Sequence, residues 1–165
     1  MVRLSLGLRL IRRKARSAES SSTAANAARA RVAVHIASVA VLDDDDDVST
    51  AIAQSLQRAG YSSSSYTNEE TLLAAAASTP FDCLIADWSL GQRTSASTIA
   101  RLRRIDGYSA TPVIVLSGQL CVNGAPVAED LRSAIATLDL IFRSKPRTTA
   151  DIVRDLQSLC HHVLD

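Results

Sequence analysis

Apolar and polar positions begin to alternate in regular blocks from Val39 onward. Val39-Ala40-Val41-Leu42 is an apolar run that stops at five consecutive aspartates, Asp43 to Asp47, as a buried strand does where it leaves the core for an acidic loop. Val48, Ile52 and Leu56 then share one face of a helix over 48–59, and Gly60 supplies its stop signal. Residues 61–66 read as a weak, serine-rich strand. Thr67-Asn68-Glu69-Glu70 has capping-box spacing ahead of the alanine-rich run 72–77. A second apolar run, 81–86, ends at Asp87. A short helix over 98–105 turns Ile99, Leu102 and Ile105 inward. The clearest buried strand, 112–116, ends at Ser117. A helix over 127–138 follows, then a short strand at 140–142 that closes near Lys145-Pro146. Ile152, Val153, Leu156, Leu159, Cys160 and Val163 form the stripe of a final amphipathic helix.

Strands thus alternate with helices five times. That order predicts an α/β domain whose strands are parallel and whose crossovers are right-handed, a small doubly wound sheet with helices on both faces. Composition agrees: 47% of the residues are apolar but only 4% aromatic, so Ala, Val, Ile and Leu must build the core, as suits a sheet covered on both sides. Charge divides the chain in two. Residues 1–31 hold eight basic side chains against Glu19 alone, net +7, which leaves ten basic against sixteen acidic, net −6, for 32–165. The first stretch, rich in Arg, Ser and Ala, reads as a basic leader or linker, disordered or partly helical. A transit peptide and the tail of an upstream module are the other readings. Residues 32–165 are the folded domain. No apolar stretch approaches the ~20 residues that span a bilayer. Cys83, Cys121 and Cys160 are odd in number and lack metal-ligand spacing, which points to free thiols in the cytoplasm.

In an open parallel sheet, ligands gather at the carboxyl ends of the strands. Here those ends carry Asp43 and Asp44, Asp87, Ser117 and, near the last, Lys145. Three carboxylates in one cleft either take up protons or bind a cation, and hard oxygen ligands on an open site suit Mg²⁺. Lys145 offers a point charge to phosphate oxygens and Ser117 a hydroxyl donor. An aspartate carboxylate can attack phosphorus to form an acyl phosphate.

Val41-Leu42-Asp43-Asp44, Leu84-Ile85-Ala86-Asp87, Val115-Leu116-Ser117-Gly118 and Ser144-Lys145-Pro146 stand in order, each at a strand end. In these motifs the chain resembles the receiver domain of two-component response regulators, from about Val39 to the C-terminus. The resemblance implies a flavodoxin-like strand order, 2-1-3-4-5. It implies Asp87 as phosphoacceptor, with Asp43, Asp44, Asp87 and the backbone carbonyl of Ser89 as Mg²⁺ ligands. It implies Ser117 and Phe142 as switch residues, Lys145 as the partner of the phosphoryl oxygens, and a cis bond from Lys145 to Pro146. The implied phosphodonor is a histidine kinase or histidine phosphotransfer protein. The output partner is left unnamed, and the face of helix four, strand five and helix five leaves room for a homodimer. The sequence departs from the family in a longer segment through 120–126, in Trp88 after the acceptor, and in Gly91 where a proline often stands.

Plainer readings accompany these. Asp45, Asp46 and Asp47 suit a solvated helix start, where the dipole favours anions. Trp88 reads as a gate or a partly exposed packing residue. His35, His161 and His162 read as surface positions, and Arg101, Arg103 and Arg104 as a solvated helix face. No DNA-reading helix pair or second catalytic domain is visible after the last helix, so a module acting alone, or the receiver end of a hybrid kinase, is expected, without direct nucleic-acid binding. It is not expected to be an enzyme beyond autophosphorylation from small donors and autodephosphorylation. The alternative is a phosphohydrolase of the haloacid dehalogenase type, with Asp44 as nucleophile in an Asp-x-Asp-x-Val motif over 44–48. That reading leaves Asp87 without a task.

Overall fold

A computed structural model describes residues 35–161. Strand β1 (Ser38–Leu42), helix α1 (Asp46–Arg58), β2 (Ser62–Tyr66), α2 (Glu69–Ser78) and β3 (Cys83–Asp87) come first. A hairpin of β4 (Ser89–Leu90) and β5 (Arg93–Thr94) precedes α3 (Ala96–Leu102) and β6 (Val113–Ser117). A second hairpin, β7 (Cys121–Val122) and β8 (Ala125–Pro126), leads to α4 (Glu129–Leu138), β9 (Ile141–Ser144) and α5 (Thr149–His161). The five principal strands form one sheet in the order β2-β1-β3-β6-β9, and every pairing in it is parallel. This is the doubly wound order 2-1-3-4-5.

The strands are continuous apolar runs because both faces of the sheet are buried. Val39, Val41, Cys83, Ile85, Ile114 and Leu116 pack with Ala53 and Leu56 of α1 and Ile152 and Leu156 of α5. The alternate residues, among them Leu42, Leu84, Ala86, Val113 and Val115, pack with Leu72 of α2, Ile99 and Leu102 of α3 and Leu131 of α4. Successive side chains of a strand point to opposite faces, so each strand feeds both layers.

Several boundaries differ from the sequence reading. The helix after β6 begins at Glu129, because the segment before it is committed to the second hairpin. Helix α3 is shorter at its end than expected, and Ile105 packs on the core from the turn beyond it. Val48 is 37% exposed and lies in the first turn of α1 beside exposed Asp46 and Asp47. Trp88, read as a gate or as a partly exposed packing residue, is 1% exposed and belongs to the core layer that holds Ile99 and Leu102 of α3. The indole continues the alternation of Leu84 and Ala86, and so falls on the sheet face that α2, α3 and α4 cover. The leader readings, those for His162 and Val163, and the surface reading of the His161 side chain fall outside the described residues.

Candidate functional site

Parallel pairing brings the candidate side chains together. Asp43 follows the last residue of β1, and Asp87 ends β3, level with Leu116 of the neighbouring β6. Ser117 ends β6 level with Ser144 of β9, so Lys145 emerges beside it. The Lys145 amide donates to the Ser117 carbonyl at 2.7 Å, and the Lys145–Pro146 peptide is cis, as the resemblance implied.

The lysine ammonium Nζ lies 3.0 Å from Asp87 Oδ1 and 3.7 Å from Asp43 Oδ2. One ligand atom from each of Asp43, Asp44 and Asp87 can be chosen within 4.8 Å of the others. Asp43 is buried; its Oδ1 accepts the Asp45 amide at 3.1 Å. Burial raises the Asp43 pKa above the ordinary carboxylate value, and nearby Asp87 and Asp44 add to that, against the Asp45 amide and Lys145, which lower it. Asp44 is exposed, and its Oδ2 accepts the Gly91 amide at 2.9 Å. Gly91 adopts φ +61° in the two-residue turn of the β4–β5 hairpin, a conformation glycine takes without strain.

Ser117 is buried, and its Oγ accepts the Gln119 amide at 3.1 Å, so its hydroxyl proton remains to be donated. Ser89 opens β4, two residues past Asp87, and Phe142 lies half-buried in β9 level with Val115. The Gly91 and Gln119 amides were not anticipated. Backbone donors are invisible in side-chain patterns, although glycine at 91 in place of proline was a signal, since proline has no amide hydrogen.

Three carboxylates against one ammonium leave a surplus of about two negative charges, matched to a divalent cation; the oxygen donors fit Mg²⁺ better than a soft metal. Asp45 caps α1 by accepting from the Asp47 and Val48 amides at 3.0 and 3.2 Å, and Asp46 and Asp47 fill the exposed first turn. Asp46 stands outside the three-aspartate cluster. His35 is exposed just before β1, at the opposite end of that strand from the site. A cavity of about 720 Å³ at that end is lined by Phe81, Tyr108 and Pro112 but by none of the residues of the acidic cleft. A cleft of about 630 Å³ beside the site is lined by Val48 and Ile52 of α1, Lys145, Arg147 and Ile152 of α5.

Fold and cleft together define a doubly wound α/β protein with an acidic, lysine-bearing site at the carboxyl ends of its strands. Residues 39–129 match the response regulator receiver domain family, and the chain belongs to that family. No curated protein matches the sequence. Solved structures share the fold. Chemotaxis protein CheY4 of Vibrio cholerae is 21% identical with a TM-score of 0.66, covering 76% of this chain and 99% of its own. The CheY-like receiver domain protein of Methanospirillum hungatei JF-1 is 14% identical, TM-score 0.65, covering 78% and 97%. The receiver domain of an HD domain-containing protein from Pseudomonas fluorescens Pf-5 is 18% identical, TM-score 0.64, covering 78% and 98%. The family match stops short of Phe142, which lies in β9, and of Lys145, which follows that strand.

Proposed function

We propose that this receiver domain takes a phosphoryl group from a histidine kinase or histidine phosphotransfer protein onto Asp87 and, in response, alters a partner-binding face. The observation that carries the reading is Lys145 Nζ at 3.0 Å from Asp87 Oδ1 within the three-aspartate cluster. An Asp87 carboxylate oxygen attacks phosphorus, the phosphorus–nitrogen bond of the phosphohistidine breaks, and the departing imidazole keeps the electron pair and takes up a proton. Asp43, Asp44, Asp87 and the Ser89 carbonyl would hold Mg²⁺, which supplies charge neutralisation to the phosphoryl oxygens when bound. Lys145 exchanges its pairing with Asp87 for a phosphoryl oxygen, and Ser117 turns its hydroxyl toward the same group. Movement of Ser117 reaches Phe142 through the adjoining β6 and β9, and so the face of α4, β9 and α5. That face would engage the output partner or a second copy. The proposed setting is the cytoplasm, consistent with the three free thiols. The domain acts as a signalling phosphoacceptor, with autophosphorylation from small donors and autodephosphorylation as its own chemistry. No observation favours the hydrolase alternative.

Incubation with phosphoramidate and Mg²⁺, followed by intact-mass measurement, tests this. The expected result is a gain of one phosphoryl group that Asp87→Asn abolishes. Equal labelling of Asp87→Asn would contradict the proposal.

A further inference from the structure

Asp155 of α5 lies outside the three-aspartate cluster, yet two cations that bracket Lys145 both hold it. Arg143 Nε donates to its Oδ1 at 2.8 Å, and Arg147 Nη2 donates to its Oδ2 at 2.5 Å. The Asp155 side chain is 13% exposed. Arg143 lies in β9 two residues before Lys145, and Arg147 two residues after it. Both ends of the lysine loop are therefore fastened to one carboxylate on the last helix. A third bond, from the Lys145 amide to the Ser117 carbonyl at 2.7 Å, fixes the middle. The pairs Arg132–Glu129 and Arg154–Asp151, by contrast, join neighbours on the surface of one helix and touch nothing in the cleft.

We propose that Asp155 is a positioning residue for Lys145, an inference that rests on the reading of Lys145 as the phosphoryl-binding cation. A lysine ammonium ends a flexible four-carbon stem, so its place beside Asp87 depends on where the backbone holds its root. The Arg143–Asp155–Arg147 bridge sets that root against α5, and the Ser117 bond sets it against β6. Partial burial of the carboxylate and charge-assisted geometry place this bridge among the stronger polar contacts.

The test is a double-mutant cycle on the full chain, with phosphoramidate labelling rates read by intact mass and amide hydrogen exchange read by NMR. Asp155→Asn is expected to slow labelling roughly tenfold or more, as misplacement of a reacting group does. It should add nothing in a Lys145→Ala background. The Lys145 amide should exchange faster in Asp155→Asn while those of Leu84 and Ile114 in the central strands keep their protection. An unchanged rate, or effects that simply multiply in the double variant, would overturn the proposal. If the unsubstituted protein takes up no phosphoryl group, the functional reading fails by itself. The Lys145 amide then decides the inference: unaltered exchange overturns it, selective acceleration upholds it.

Discussion

Asp43 and Asp82 titrate in opposite directions for reasons visible in their surroundings. Burial, with Asp87 and Asp44 close by, raises Asp43. Its folded state therefore holds a proton that the unfolded chain has released, and stability falls as pH rises from the ordinary value near 3.8 through the raised one. The ionised carboxylate is the form that the fold disfavours. Asp43→Asn is expected to raise Tm by a few degrees at pH 7 in the presence of a chelator; a lower Tm would count against this. Asp82 is also opposed by burial, but the Ala37 amide, the Ser38 amide and the Ser38 hydroxyl together outweigh that and lower it. Those three donors lie 2.8 to 2.9 Å from its Oδ2. The stability it contributes is complete above the ordinary value and is lost as pH falls through the lowered one. Asp82→Ala should destabilise by about 1–3 kcal/mol, measured by urea unfolding near pH 7. Asp82 was passed over in the sequence because it precedes the strand and makes no pattern. The residues of the cleft were legible because each stands where an apolar run stops.

Among the elements, β2 shows how far packing overrides composition. Its four serines have poor strand propensity, yet β2 pairs along its length with β1 at the edge of the sheet. Gln57 of α1 also donates to the Ser63 carbonyl at 2.7 Å. The Ser63 hydroxyl is buried and finds no partner among the described residues. Ser63→Ala should therefore be neutral or stabilising by about 1 kcal/mol, read as a midpoint shift in denaturant; a loss of that size would show that the hydroxyl is satisfied. The central strands were legible because burial on both faces leaves uninterrupted apolar runs. The two hairpins were not. Each strand in them has two residues, too few for a period of two to register, and their turns rest on positive φ at Gly91 and at Asn123 and Gly124. In the second, Leu120 is 74% exposed, so an apolar residue there carried no information about the core.

For the whole molecule, the α/β alternation and the clustering of polar residues at one sheet edge have a common origin. Parallel strands share a direction, so their ends share a place. The surplus negative charge at that place predicts that Mg²⁺ stabilises the folded protein. At about 100 times its Kd, the gain should be about 2.7 kcal/mol. Thermal unfolding with and without Mg²⁺ should show a higher Tm for the unsubstituted chain and little change for Asp43→Asn or Asp44→Asn. An equal rise in all three would place the ion elsewhere. The most direct test of the central claim is to find which carboxylate carries phosphorus. After labelling with phosphoramidate and Mg²⁺, borohydride reduction converts an acyl-phosphorylated aspartate to homoserine, and peptide mass mapping locates it. Homoserine is expected at position 87 alone; homoserine at position 44 would overturn the assignment of Asp87 as the phosphoacceptor.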